Sequence, residues 1–240
     1  MNRFLVTWRS RITQRTYPIG TLIAEGEFEF SYLPNLELPE DFREFVNFPD
    51  LTQTYRSRAL FPFFAQRLMD SRRPDYEPYV AALGLPAEAT ELDVLGRAGG
   101  RRKGDTVEVV AEPEVSASGV VDHSFLVRGI SHVTGSDAAL QHLTLGSAMK
   151  IIAQPDNRVN PEALRVCTPK REPIGWVPDA LLHFAHEVIE HQHELSALRL
   201  NGPDWPSHMR LVVRLRGHVP PGFEPFGHLM SKRGIVAASG

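Results

Sequence analysis

Residues 150–178 constrain the fold more than any other part of the chain. They read KIIAQPDNRVNPEALRVCTPKREPIGWVP. The apolar pair Ile151 and Ile152 enters a turn rich in Pro, Asp and Asn. Residues 163–167 follow, then a charged turn over 168–172, then a short run over 174–178. Short apolar runs bounded by turn residues predict strand, turn, strand, turn, strand. Asp156, Asn157 and Asn160 carry side chains that bond back to their own backbone, and Pro155 and Pro161 fix φ beside them. Turn-making alone would account for these residues. Their concentration beside Trp176 allows a second reading, in which amides and a carboxylate offer donors and acceptors to a ligand while the indole offers a flat apolar face.

The rest of the chain reads outward from that stretch. Residues 4–8 predict a strand, and 19–24 with 27–32 alternate around Glu25-Gly26 as a hairpin. Residues 58–69 place Leu60, Phe61, Phe64, Ala65 and Leu68 at helical spacing, with Pro62 in the first turn. Pro74 opens a second helix with Tyr76, Tyr79, Val80 and Leu83 inward and Gly84 as its stop. Residues 106–110 are a β-branched strand. The small, polar segment 112–121 (EPEVSASGVV) is the expected linker. Asp179 is placed to cap a helix whose apolar face is Leu181, Phe184, Ala185, Val188 and Ile189. Residues 199–206 read as a loop and 209–216 as a closing strand. The tail after Pro220 reads as poorly ordered or as lying along the surface.

Two domains are expected, a small α+β domain over 1–118 and a β-rich domain over 119–240 with its core at 123–217. A chain of 240 residues with 42% hydrophobic residues is long and apolar enough to bury a core in each. No apolar run approaches the roughly 20 residues of a membrane span, and the first residues lack a signal-peptide pattern. The single cysteine, Cys167, excludes a disulfide framework and fits a reducing, cytoplasmic setting. A net charge of −3 argues against a general polyanion binder, though a small end-binding pocket needs few phosphate contacts.

Other groupings carry chemistry less directly. Arg210, Arg214 and Arg216 fall on one face of the last strand, with Arg165, Arg158 and Arg128 as further cations. Such a row either tracks a phosphate backbone or is a solvated strand face. The glycine-rich run 96–104 with Arg101, Arg102 and Lys103 either holds phosphate or is a basic turn; it lacks the phosphate-loop pattern. His186-Glu187-x-x-Glu190-His191 misses the zinc-protease spacing by one place. His183, His186 and Glu190 share a helical face that could bind a metal, but that face reads as turned to water, so no metal or other cofactor is expected. Ser147 and Lys150 match a Ser-x-x-Lys pair without its companion motifs. With no triad or carboxylate pair in sight, the chain is not expected to be an enzyme.

The wording around Asn157, Asn160, Ala163, Leu164 and Val166, followed by Ile174, Gly175, Trp176, Val177 and Pro178, resembles the HIRAN domain. FLVRGISHVTG upstream is similar to that family's opening strand and first loop. The resemblance implies a small, mostly antiparallel β-barrel-like module with a flanking helix. It implies DNA as the partner, through single strands or free 3′ ends. An aromatic stacks on the last base, an acidic or amide residue holds the 3′ hydroxyl, and nearby donors meet phosphate. By motif, Asn157 and Asn160 line the end pocket and Trp176 is the aromatic. Ser131 and His132 stand where helicase members carry an Arg-Tyr pair. The first domain, through PIGTLIAEGEFEFSYLPN and LFPFFAQRL, is similar to the small N-terminal subdomain of HipA-type kinases, without the kinase body. That resemblance implies a protein partner as the alternative role. The aromatic excess of residues 51–64 suggests a surface for another chain or for the second domain.

Overall fold

The structure, a computed structural model, describes residues 2–34, 36, 38–102, 104 and 106–230. Lys103 and the last part of the tail lie outside the described residues. The chain forms an α+β fold of two antiparallel sheets. The first sheet contains β1 (Asn2–Arg9), β2 (Thr16–Glu25), β3 (Glu27–Tyr32), β4 (Tyr55–Ser57) and β5 (Val107–Ala111) in the order β4-β3-β2-β1-β5. The second contains β6 (Val120–Leu126), β7 (Ala148–Ala153), β8 (Leu164–Cys167), β9 (Pro173–Trp176), β10 (Glu194–Leu200) and β11 (Leu211–His218), ordered β6-β11-β10-β7-β8-β9. Helices α1 (Pro62–Ala65), α2 (Tyr76–Ala82), α3 (Glu91–Ala98), α4 (Ser136–Gln141) and α5 (Leu182–Ile189) fill the connections.

The second sheet curls because β7 serves two partners. Ala148 and Met149 pair with β10, whereas residues 150–153 pair with β8. The chain just past β6 then meets the far edge, where Arg128 and Trp176 form an antiparallel bridge. Leu164, Val166, Ile174, Val213 and Leu215 are fully buried inside the curl. Alternation puts Arg165 and Trp176 on its outer face.

In the first sheet the hairpin turns at Gly26, which has the positive φ such a turn needs. Its aromatic residues find partners within the same half. Phe30 packs on Phe48 with ring centroids 4.3 Å apart, and Phe63 stacks on Phe45 at 4.7 Å. Phe61 and Phe64 pack on the same Phe48. The aromatic excess of residues 51–64 therefore lines an internal core and gives no support to a protein-docking face. Tyr32 sits in this core, donating to the Phe48 carbonyl at 2.8 Å, and burial pushes its pKa up to about 12.

The halves share apolar packing. Val80, Leu83 and Val94 cluster with Leu126, Met209 and Val212, and Leu5 and Val110 join the core of the second sheet. The segment 112–121 is pinned at its ends: Glu112 pairs with Arg3 at 3.2 Å and accepts from the Phe226 amide, and Val115 bridges to Val121.

Several local expectations change. The helix expected over 58–69 is one turn, α1. Arg67 Nε takes the Phe63 carbonyl at 3.1 Å, the acceptor that the next helical turn would have used. Asp179 does not cap α5. Residues 179–181 form a 3₁₀ turn, and the Asp179 carboxylate instead accepts from Asn160 Nδ2 at 3.5 Å. Arg199 belongs to β10, not to a loop. The helix α3 begins inside what reads as a loop, with a capping box between Thr90 and Asp93.

Candidate functional site

The outer face of the curled sheet carries a row of three side chains. Trp176 on β9 stands opposite Arg165 on β8 and opposite Arg128 in the closing bridge. Directly opposed residues lie side by side on one face, so the indole has an arginine on each flank. The Arg165 guanidinium sits 5.3 Å from the indole centroid, within cation–π range. The indole Nε1 donates to Gln154 Oε1 at 3.3 Å. Trp176 remains half-buried, neither free nor sealed.

The loop between β7 and β8 brings the amides beside it. Asn157 Oδ1 accepts from the Val159 and Asn160 amides, and Asn160 Oδ1 from the Glu162 amide. The carboxamide oxygens thus make the turn, as their spacing suggests. Asn157 Nδ2 has no partner among the described residues, so it is a donor that a ligand can use.

These residues form one wall of a cleft of about 460 Å³. Ser131, His132, Asn157, Asn160, Trp176 and Asp179 line that side. The facing wall comes from the first sheet and from the turn before β11: Arg9 on β1, Arg101 and Glu108 around β5, and Ser207 and His208. Arg128 reaches across between them. Arg101 Nε is 3.2 Å from Glu108 Oε1, and Arg128 Nη2 is 3.7 Å from the same oxygen. Burial pulls the Arg128 guanidinium below its ordinary pKa; Glu108 opposes that and Arg101 adds to it. Burial likewise lowers the His208 pKa, and Arg101 and Arg128 reinforce the drop.

Of the sequence-predicted residues, Ser131, His132, Asn157, Asn160 and Trp176 meet at the cleft, and Arg165 lies against the indole. Asp156 and Arg158 are exposed on the same loop but do not line the cleft. The arginines expected on the last strand stand elsewhere, and Arg210 precedes β11. Arg210 bonds Asp137 at 3.0 Å and the Asn201 carbonyl at 3.1 Å. Arg214 grips Asp122 with Nε and Nη2, and Arg216 Nε meets the same carboxylate at 3.3 Å. Asp122 is held below the usual carboxylate pKa by Arg214 first and Arg216 after it. His183 packs on His228 and Phe223, and His186 Nε2 meets the Glu162 carbonyl at 2.8 Å. No group of three metal-binding side chains is found among the described residues. Cys167 is buried, and burial raises its thiol pKa. No helix among the described residues is long and apolar enough to cross a membrane.

Sequence reasoning did not find Arg9, Glu108 or His208. They come from three separate elements, and no local spacing links them to Trp176.

No protein-family model and no curated protein matches the chain. A solved structure similar to part of it is the HIRAN domain of human HLTF, with 15% identity over 42% of this chain and 77% of that chain. The TM-score is 0.28, too low to establish a shared fold. Nothing in these comparisons supports the likeness of the first half to HipA-type kinases.

Proposed function

We propose that the cleft binds the end of an unpaired DNA strand, with the free 3′ hydroxyl inside it, and that it binds the strand without transforming it. One conjunction supports this reading: a half-exposed indole, an amide-rich loop and cationic side chains line a single cleft. An unpaired base presents a π face to an indole, and such stacking contributes about 1–3 kcal/mol per base. The Asn157 amide is a donor and the Asp179 carboxylate an acceptor, which together suit a hydroxyl. Arg9, Arg101 and Arg128 supply positive charge for phosphate. The cleft's volume matches pockets that enclose a small ligand, which favours a strand terminus over a long tracked strand. The motif around Asn157, Asn160 and Trp176 that resembles the HIRAN domain agrees with that choice.

Fluorescence anisotropy at fixed salt tests the reading. Oligonucleotides ending in a 3′ hydroxyl should bind more tightly than the same oligonucleotides ending in a 3′ phosphate. Trp176→Ala should weaken binding about ten-fold or more, the loss of one stacking contact. Equal binding of the two termini would remove end recognition, and no binding to any single strand would remove the reading itself.

A further inference from the structure

Among the described residues, Glu108 is the one carboxylate paired with Arg101 and Arg128, the two arginines of the cleft's cationic wall. Arg128 is the deeper of the two, with 15% of its side chain exposed against 46% for Arg101. Its Nε and Nη1 are buried and have no hydrogen-bond partner among the described residues. The guanidinium lies close over Gly99: a Cβ there would lie 2.8 Å from Arg128 Nη2. A buried guanidinium with two unsatisfied N–H groups and a carboxylate 3.7 Å away is electrostatically incomplete. His208 lines the cleft beside these two cations.

We infer that Arg101 and Arg128, with Glu108 as an internal stand-in for the ligand, form a phosphate subsite that belongs to both halves of the chain. The inference rests on the strand-end reading and extends it. The curled sheet holds the base and the terminal hydroxyl, and the wall built on β5 holds a backbone phosphate of the same strand. Glu108 competes with that phosphate. An arriving phosphodiester takes over the Arg101 guanidinium and supplies the charge that Arg128 lacks. The strand therefore spans the seam between the two sheets, and the first half is part of the binding site.

The sign of two substitutions tests this. In a salt titration with a 3′-hydroxyl oligothymidylate, Arg101→Gln should bind about ten-fold more weakly, the loss of one charge-assisted hydrogen bond. The slope of log affinity against log salt should shrink by about 0.7, one single-strand phosphate contact. Glu108→Gln should bind more tightly than the wild type, because the competitor is gone. A purely structural Arg101–Glu108 pair predicts instead that both substitutions act in the same direction. Unchanged affinity and slope in Arg101→Gln, with the wild type still binding, would overturn the subsite and leave the strand-end reading standing. If the wild type binds no strand, inorganic pyrophosphate serves as the probe. A thermal shift in the wild type that is absent in Arg101→Gln keeps the anion subsite, and no shift in either removes it.

Discussion

Arg128 and Trp176 exchange both of their backbone hydrogen bonds, each 2.9 Å long. This pair joins the two ends of the second sheet and holds the indole against the cleft. Closure is so tight that the neighbouring positions tolerate no side chain. A Cβ on Gly175 would lie 2.4 Å from the Arg128 carbonyl oxygen, and one on Gly129 would lie 2.7 Å from Trp176 Cε3. The site's aromatic residue is therefore positioned by the backbone of the strand it closes against.

Gly129 tests that dependence. Its φ is +67°, so alanine there is strained by about 1–2 kcal/mol before any clash. The added methyl must also push the indole away. Gly129→Ala should lower the melting temperature and weaken strand binding beyond what the stability loss explains. Denaturation and anisotropy on the same preparation separate the two effects. Unchanged binding would mean that the position of the indole does not matter to the ligand.

The arginines of β11 give a contrasting expectation. Arg214 and Arg216 are committed to Asp122 and do not line the cleft. Arg214→Gln with Arg216→Gln should leave strand affinity and its salt slope within error of the wild type. The pair is substantially exposed, so the stability cost should stay below about 1 kcal/mol. A shallower salt slope in the double variant would show instead that this face does meet phosphate.

What the sequence made legible follows from how local each signal is. The β2–β3 hairpin, the strands flanking the Asn loop and the stop of α2 at Gly84 rest on periodicity and turn chemistry within a few residues. Trp176, Asn157 and Asn160 could be grouped because one contiguous stretch contains them. The strand β10 was hidden because its residues, ELSALRL, are mostly good helix formers, and pairing with β11 and β7 overrides that preference. The facing wall of the cleft was hidden more deeply. Arg9, Glu108 and His208 come together only through long-range pairing of β1 with β5 and the docking of the turn before β11. The capping box of α3 was readable at Thr90 and Asp93.

Acid should destabilise the protein before its carboxylates titrate. The His123 ring packs edge-on against Phe184, and desolvation, with a smaller push from Arg97, lowers its pKa to about 3. In the unfolded chain a histidine titrates near pH 6.5. As pH falls below that value the unfolded state takes up a proton that the folded state refuses, so stability is lost between about pH 6.5 and 3. The total is on the order of a few kcal/mol. His208, lowered in the same direction, adds to the slope. Denaturant unfolding at pH 7 and at about pH 4.5 measures the fall, before the carboxylates near pH 4 dominate. His123→Phe, which keeps an aromatic against Phe184, should flatten it. An equally steep fall in that variant would place the titration elsewhere.

Asn201 ties the two halves together by a single buried amide. Its Nδ2 donates to the Ala82 carbonyl at 2.8 Å and to the Met209 carbonyl at 2.5 Å, and its Oδ1 accepts from Arg199 Nε at 3.1 Å. Ala82 ends α2 in the first half, and Met209 precedes β11 in the second. Asn201→Ala leaves two buried carbonyls without their donor, at a cost of about 1–3 kcal/mol each. Asn201→Asp adds a buried charge and repels those carbonyls, so it should cost more. The halves also share the cluster around Leu83, Leu126 and Val212, so unfolding in the wild type should follow a single transition by every probe. In Asn201→Ala the midpoint should drop. If the amide is the main polar link, protection from hydrogen exchange in α2 should fall further than protection in β11. Equal losses in both elements would assign the coupling to the apolar cluster alone.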